Sequence, residues 1–340
     1  MTTMSTPIRP RARRRVLSAA ALLAAAAALA GCSIPSADGG EGGAERIGAL
    51  YLDSQGFYGG VKKGVQDAAD ADSKKVDFLE STSAGDVSKE SSFMNTLTSS
   101  GVSAIIMSAV STDGSVPAVR QASEAGIPVI CYNTCVSDDA VDQYVTAWVL
   151  GDPLKFGGDL GTQAAAYFTE AGITAPKMGV INCEQYEVCQ QRFEGFSEAL
   201  TAALPGTVFV ANQEGAEVDQ AVSTAEQMLS ANPDLDGLYG EAGGATVGAY
   251  KAVQTRGLTG QVAVFGSDMT SDIAAELADG SVLKAVVDIS GIEAGKLAFA
   301  AAQDAIDGKT PDEKVVAAPI DLYLPADAAG WTETHPDGLP

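Results

Sequence analysis

A regular alternation along the chain narrows its folding options more than any other feature. Short runs rich in apolar and β-branched residues recur at residues 46–52, 75–80, 104–108, 128–132, 144–149, 177–182, 207–212, 237–240, 261–266 and 283–289. Between them lie segments with helical spacing of apolar positions, at 59–72, 88–100, 115–125, 157–170, 189–203, 218–230, 246–256 and 292–307. Strands that are apolar almost throughout must be covered on both faces, and a helix between each strand and the next supplies that cover. The chain is therefore predicted to be an α/β protein built from parallel, doubly wound sheets. A length of 340 residues suits about two domains. The alternation breaks once, at residues 146–153, where a strand runs straight into Gly151-Asp152-Pro153.

Charge and composition remove several function classes. There are 21 Lys and Arg against 44 Asp and Glu, a net charge of -23, and no basic run lies beyond residue 15. Such a chain has no surface for a phosphate backbone, so no nucleic-acid partner is expected. His335 is the single histidine, which excludes histidine-based triads and multi-histidine metal sites. No Gly-rich phosphate fingerprint and no nucleophile–base spacing is present. Asp268 with Glu241 is the one conceivable acid–base pair, and the expectation is a protein that is not an enzyme and needs no cofactor or metal.

The N-terminal segment reads as an address. Arg9, Arg11, Arg13, Arg14 and Arg15 precede an apolar run over residues 16–30, which is short for a membrane span of about 20 residues. The run ends in Leu29-Ala30-Gly31-Cys32, which resembles the bacterial lipoprotein box. That resemblance implies a signal peptide over residues 1–31 and a diacylated Cys32 as first residue of the mature chain. Residues 32–45, rich in Ser, Gly and acids, are predicted to be a flexible tether. Several acyl chains on one cysteine would hold the protein durably to the outer face of the cell membrane. Four cysteines remain, Cys131, Cys135, Cys183 and Cys189. In an oxidising compartment an even number favours disulfides over metal, and three pairings are possible.

The segments IGALYLDSQGFYGGVKKGVQDAAD, GVSAIIMSAVSTDGSVPAVRQASEAGIPVI, RFEGFSEAL, VFGSDMT and DGSVLKAVVDIS, in this order, resemble the ribose-type (type I) periplasmic binding proteins of sugar ABC importers. The resemblance runs from about Ile47 to Leu324. It implies two Rossmann-like lobes joined by three chain crossings, with the solute held in the cleft. The crossings are expected near residues 149–152, 289–291 and 317–319, with 46–149 and 291–317 in one lobe and 150–290 and 318–335 in the other. A disulfide between lobes would lock such a hinge, so the local pairs Cys131–Cys135 and Cys183–Cys189 are preferred.

In open α/β sheets ligands sit beyond the carboxyl ends of the strands, and the candidate residues follow predicted strands. Gln55-Gly56-Phe57-Tyr58 matches the family's polar-x-aromatic-aromatic loop. An aromatic face stacks on the C–H face of a sugar, although Phe57 and Tyr58 would also serve as helix packing. Asn133 and Thr134 stand where sugar binders carry an Asp-Arg pair, so a charged clamp has become neutral; Asn133 would equally suit an Asx-turn. Arg192 matches the family's sugar-binding arginine, the alternative being a surface ion pair. Asp268 matches a ligand-binding aspartate, and Asp288 falls near the family's hinge glutamine; either would also suit a helix cap. Ala242 replaces an asparagine, leaving Glu241 as the substitute.

This set favours a small polar solute, a sugar or polyol, delivered to the transmembrane subunits of an ABC permease by a lipid-anchored monomer. An anionic solute is disfavoured. A cationic solute held by cation–π attraction on Phe57 and Tyr58 is the alternative in ligand, and a sensory protein presenting its ligand state to a membrane receptor is the alternative in role.

Overall fold

The computed structural model describes residues 45–72, 75–309 and 311–340. The signal segment, Cys32 and the tether through residue 44 lie outside those residues. Glu45, assigned to the tether from sequence, already belongs to the first strand.

The described residues begin with β1 (Glu45–Tyr51), α1 (Gly56–Ala71), β2 (Val76–Thr82), α2 (Val87–Ser100), β3 (Ala104–Met107), α3 (Val116–Glu124), β4 (Val129–Tyr132), α4 (Asp138–Tyr144) and β5 (Ala147–Leu150). They continue with α5 (Pro153–Glu170), β6 (Lys177–Asn182), α6 (Glu187–Ala203), β7 (Val208–Glu214), α7 (Val218–Ala231), β8 (Gly237–Gly240), α8 (Gly243–Thr255), β9 (Ala263–Ser267), α9 (Ser271–Asp279) and β10 (Leu283–Ile289). The last elements are α10 (Gly291–Ile306), β11 (Val315–Ala317), β12 (Ile320–Tyr323) and α11 (Ala328–Thr334).

Two sheets of six strands form, in the orders β2-β1-β3-β4-β5-β11 and β7-β6-β8-β9-β10-β12. The strand order reverses beside β1 in one sheet and beside β6 in the other, which creates two switch points where loops diverge and leave a crevice. All pairings are parallel except β10 with β12. Parallel strands throughout were expected from sequence. The antiparallel edge arises because β11 runs parallel to β5 and passes through only Ala318 and Pro319 into the other sheet, so β12 enters that sheet from the carboxyl ends of its strands and runs against β10.

Continuous apolar runs account for the central strands: β3, β4 and β8 are buried at every residue. The helices bury one stripe each. Phe156, Leu160, Ala164 and Phe168 recur every fourth residue of α5 and are fully buried. Burial of each large apolar side chain contributes about 1.5–3 kcal/mol. Helix α5 lies against α6 so closely that a methyl group on Gly157 would come within 1.8 Å of the Arg192 carbonyl oxygen. That close approach fixes where α6 presents the Arg192 side chain.

The chain passes between the sheets after β5, after β10 and after β11. These crossings lie side by side. A methyl on Gly151 would stand 2.5 Å from Ile289 Cδ1 and 3.3 Å from Ile320 Cγ1, and the Ala318 amide donates to the Leu150 carbonyl at 3.0 Å. Helix α4 takes Tyr144, which the alternation assigns to a strand, and β5 starts only at Ala147. Elements α4, α9, β11, β12 and α11 were not anticipated; four of them have seven residues or fewer, too short to show a period.

Candidate ligand-binding site

Between the carboxyl ends of the two sheets lies a cavity of about 890 Å³. The loop after β1 supplies Gln55, Phe57 and Tyr58 to its wall, and the loop after β4 supplies Asn133 and Thr134. From the other sheet come Tyr186 and Arg192 after β6, Ala242 after β8 and Asp268 after β9.

Phe57 and Tyr58 meet edge to face, centroids 5.3 Å apart, and both rings lean on the buried Tyr132. This packing leaves an aromatic surface on the first wall. The Tyr58 hydroxyl accepts a bond from Asn133 Nδ2 at 3.2 Å, and burial pushes its phenol above the usual range. Asn133 has a left-handed backbone, φ 54°, a conformation asparagine tolerates better than most residues. The loop is held by three ties: the Trp148 indole N–H donates to the Asn133 carbonyl at 2.9 Å, the Asn133 amide donates to Val149 at 2.9 Å, and Cys131 is bonded to Cys135. Thr134 lines the wall, yet its hydroxyl is engaged with Ser108 Oγ at 2.6 Å and the Ala109 carbonyl at 2.7 Å. The position where the resemblance expects an arginine is here a structural bridge.

On the facing wall Arg192 is 6% exposed, with its guanidinium carbon 4.2 Å above the Phe156 ring. Nη1 donates to the Glu241 carbonyl at 3.2 Å and Nη2 to Asn133 Oδ1 at 3.5 Å. Nε is buried with no hydrogen-bond partner among the described residues. Burial thus leaves one donor of the guanidinium unsatisfied, while Nη1 and Nη2 are paired. Asp268, also left-handed at φ 62°, accepts from the Gly243 amide at 2.8 Å, at the start of α8 rather than of its own following helix, where Thr270 is the cap. Desolvation raises its carboxyl, and Arg192 and the Gly243 bond oppose that rise.

Two residues placed at the ligand from sequence are not among those lining the cavity. Glu241 is fully buried, and its Oε2 accepts from the Cys183 amide at 3.0 Å. Burial pushes its pKa up to about 8. It holds the loop after β6 in place. Asp288 is 2% exposed inside β10, where Oδ1 accepts from the Met269 amide at 2.9 Å. Burial pushes it to about 8 as well, helped by Asp268 and by Asp321, its neighbour across the β10–β12 pair. Both carboxyls face backbone amides of adjacent loops because those amides, and not the cavity, stand opposite them. Cys183 and Cys189 are bonded to each other. Their sulfurs and Glu241 form the one group at metal-ligand spacing among the described residues, but sulfurs joined in a disulfide offer no thiolate.

Sequence reasoning passed over Asp53 and Glu217, which also line the cavity. Asp53 accepts from the Gln55 amide at 2.7 Å; desolvation raises its carboxyl, with Glu217 and Asp268 adding to the rise. Its place just after β1 was a usable signal. Glu217, three residues after β7, carried the same signal.

Residues 49–310 match a family model described as a periplasmic binding protein domain. The chain is 54% identical over 295 residues to the ABC transporter periplasmic-binding protein YphF of Escherichia coli, covering 86% of this chain and 90% of that protein. It is 30% identical over 247 residues to a D-ribose/D-allose-binding protein of Pseudomonas aeruginosa, covering 70% of this chain and 74% of that one. The fold is also that of an ABC transporter solute binding protein from Bacillus halodurans solved with myo-inositol, at a TM-score of 0.77 and 21% identity over 87% of this chain and 99% of that one. No helix among the described residues is long and apolar enough to cross a membrane.

Proposed function

The chain belongs to the periplasmic binding protein family, whose members bind solutes without converting them, and from that premise we propose that it captures a sugar or polyol and delivers it to an ABC importer. Residues 46–149 with 291–317 act as one lobe and residues 150–290 with 318–335 as the other, hinged at the three crossings. The solute bridges Phe57, Tyr58, Asn133 and Gln55 on the first lobe and Arg192 and Asp268 on the second. Ligand that touches both lobes favours their closed arrangement by its differential affinity.

The convergence of Phe57, Tyr58 and Asn133 from one sheet with Arg192 and Asp268 from the other on a single cavity carries this reading. A hydroxyl-bearing ring supplies an oxygen acceptor to the guanidinium, hydroxyl donors to Asp268, and a C–H face to Phe57. The names of relatives that bind ribose, allose and myo-inositol support the same chemistry. Cys32 is the proposed lipid anchor, keeping the monomer at the outer face of the cell membrane.

Thermal melting with D-ribose, D-allose, myo-inositol and, separately, choline tests the ligand class. Saturation at about 100 times Kd adds about 2.7 kcal/mol to stability, enough for a clear rise in Tm. A rise with a polyhydroxyl solute supports the proposal. A rise with choline alone would overturn it in favour of a cationic solute, which the carboxylates of Asp53, Glu214, Glu217 and Asp272 along the wall would suit.

A further inference from the structure

We propose that residues 335–340 form a strap, a fourth and noncovalent link between the lobes, that closes one side of the cavity and restrains the opening of the hinge. The proposal rests on the two-lobe reading above. The strap starts on the second lobe. Trp331 of α11 is 3% exposed within that lobe's apolar core, and the His335 ring stacks on it with centroids 4.5 Å apart and planes 7° apart. Gly338 then turns the chain with φ +69° while its amide donates to the His335 carbonyl at 2.9 Å. Gly338 is itself part of the cavity wall, so close to the start of α9 that a methyl on it would lie 2.2 Å from Ser271 Oγ.

The strap ends on the first lobe. A methyl on Gly59 of α1 would stand 3.2 Å from Leu339 Cδ2, and Lys63 Nζ lies 3.5 Å from Asp337 Oδ2. The Pro340 carbonyl accepts from the Ile292 amide at 2.8 Å. Ile292 is in the first turn of α10, where amides have no partner within the helix. Ser290 Oγ takes the amide of Glu293, and Pro340 takes that of Ile292. Helix α10 packs on α1, since a methyl on Gly295 would come within 2.2 Å of the Val61 carbonyl oxygen. Lobes that part must therefore either carry the strap off α1 and α10 or pull it from Trp331. Detachment is the easier route, because the ion pair is half exposed and Leu339 is only partly covered.

The test uses the full chain without ligand. Spin labels on Ser88→Cys and Asp219→Cys, exposed positions on the two lobes, report the distance between lobes, and single-residue amide exchange reports strap docking at Ile292. Leu339→Asp and, independently, Gly338→Ala are expected to lengthen and broaden the distance distribution. Both are also expected to speed exchange at Ile292 roughly tenfold while Ala298, deeper in the same helix, stays protected. Unchanged exchange at Ile292 in both variants would show that the strap is not docked. Faster exchange with an unchanged distance distribution would show that it restrains nothing. Either result overturns the strap and leaves the solute reading intact. The solute reading fails on its own terms if no polyhydroxyl solute shortens the distance in the parent protein.

Discussion

Arg192 and Asn133, 59 residues apart and carried by different sheets, meet across the cavity with Nη2 3.5 Å from Oδ1. The bond is long, and its two partners are the donor and acceptor that a ligand oxygen and hydroxyl would separate and replace. Arg192 thus serves two roles at once: its flat face packs on Phe156, and its Nη2 edge reaches Asn133 across the cavity.

The two roles can be separated by substitution. Arg192→Met deletes the donors and puts a thioether, a neutral group that also packs on aromatic rings, where the guanidinium lies over Phe156. Hydrogen bonds from a charged donor contribute about 1.5–3 kcal/mol, so affinity for the stabilising sugar should fall roughly 10–100-fold, measured by titration calorimetry. The melting temperature without ligand should stay within a few degrees of the parent value. A fall in apo stability with undiminished affinity would make Arg192 a packing residue.

Stability should decline as pH rises. Glu241 and Asp288 are raised by burial to about 8 from ordinary values of 4.5 and 3.8. Between those limits the folded state holds protons that the unfolded state has released. Stability from these two groups is complete below about pH 4, falls by as much as about 1.4 kcal/mol per pH unit for each, and is exhausted above about pH 8. Urea unfolding at pH 5 and pH 8 checks the sign. Asp288→Asn and Glu241→Gln, which keep an acceptor for the Met269 and Cys183 amides, should each flatten the slope.

Both disulfides close short local loops. Mass spectrometry without reductant should find Cys131 joined to Cys135 and Cys183 joined to Cys189, with no free thiol among the four. Removing the second pair by Cys183→Ala with Cys189→Ala should destabilise the apo protein by about 2 kcal/mol, the loop-entropy scale for so short a closure. It should also weaken ligand binding, because that loop carries Tyr186 to the cavity wall. Alkylation of any of the four in native protein would contradict the pairing.

Membrane attachment is expected to depend on a single atom. Cys32→Ser should release the protein from the membrane fraction into the soluble one, and a palmitate analogue should label the parent chain but not the variant. Retention of Cys32→Ser on membranes in high salt would point to a different anchor.

The alternation of apolar runs and helical segments was enough to assign the fold class and to bring Phe57, Asn133 and Asp268, which follow strands, to one cavity, whereas Arg192, inside α6, was assigned to it from the resemblance. Both follow from local rules: an apolar strand demands cover, and a parallel sheet collects its loops at one end. The direction of a side chain beyond the strand end is not local. Glu241 and Asp288 turned to the Cys183 and Met269 amides because other strands delivered those amides, and nothing in the residues flanking either carboxylate records that.

The same division explains the remaining differences. Asp53 and Glu217 could be read from their places after β1 and β7, whereas the contacts of Pro340 with Ile292 and Asp337 with Lys63 join distant stretches of chain. The amino-acid order by itself determined two covered sheets and a neutral residue where the resemblance expects a charged clamp. Only the tertiary structure decided which acids line the cavity, how Arg192 comes to stack on Phe156 and reach Asn133, and where residues 335–340 come to rest. Those outcomes depend on which backbone groups meet after packing, and packing brings together residues whose separation along the chain carries no trace of their contact.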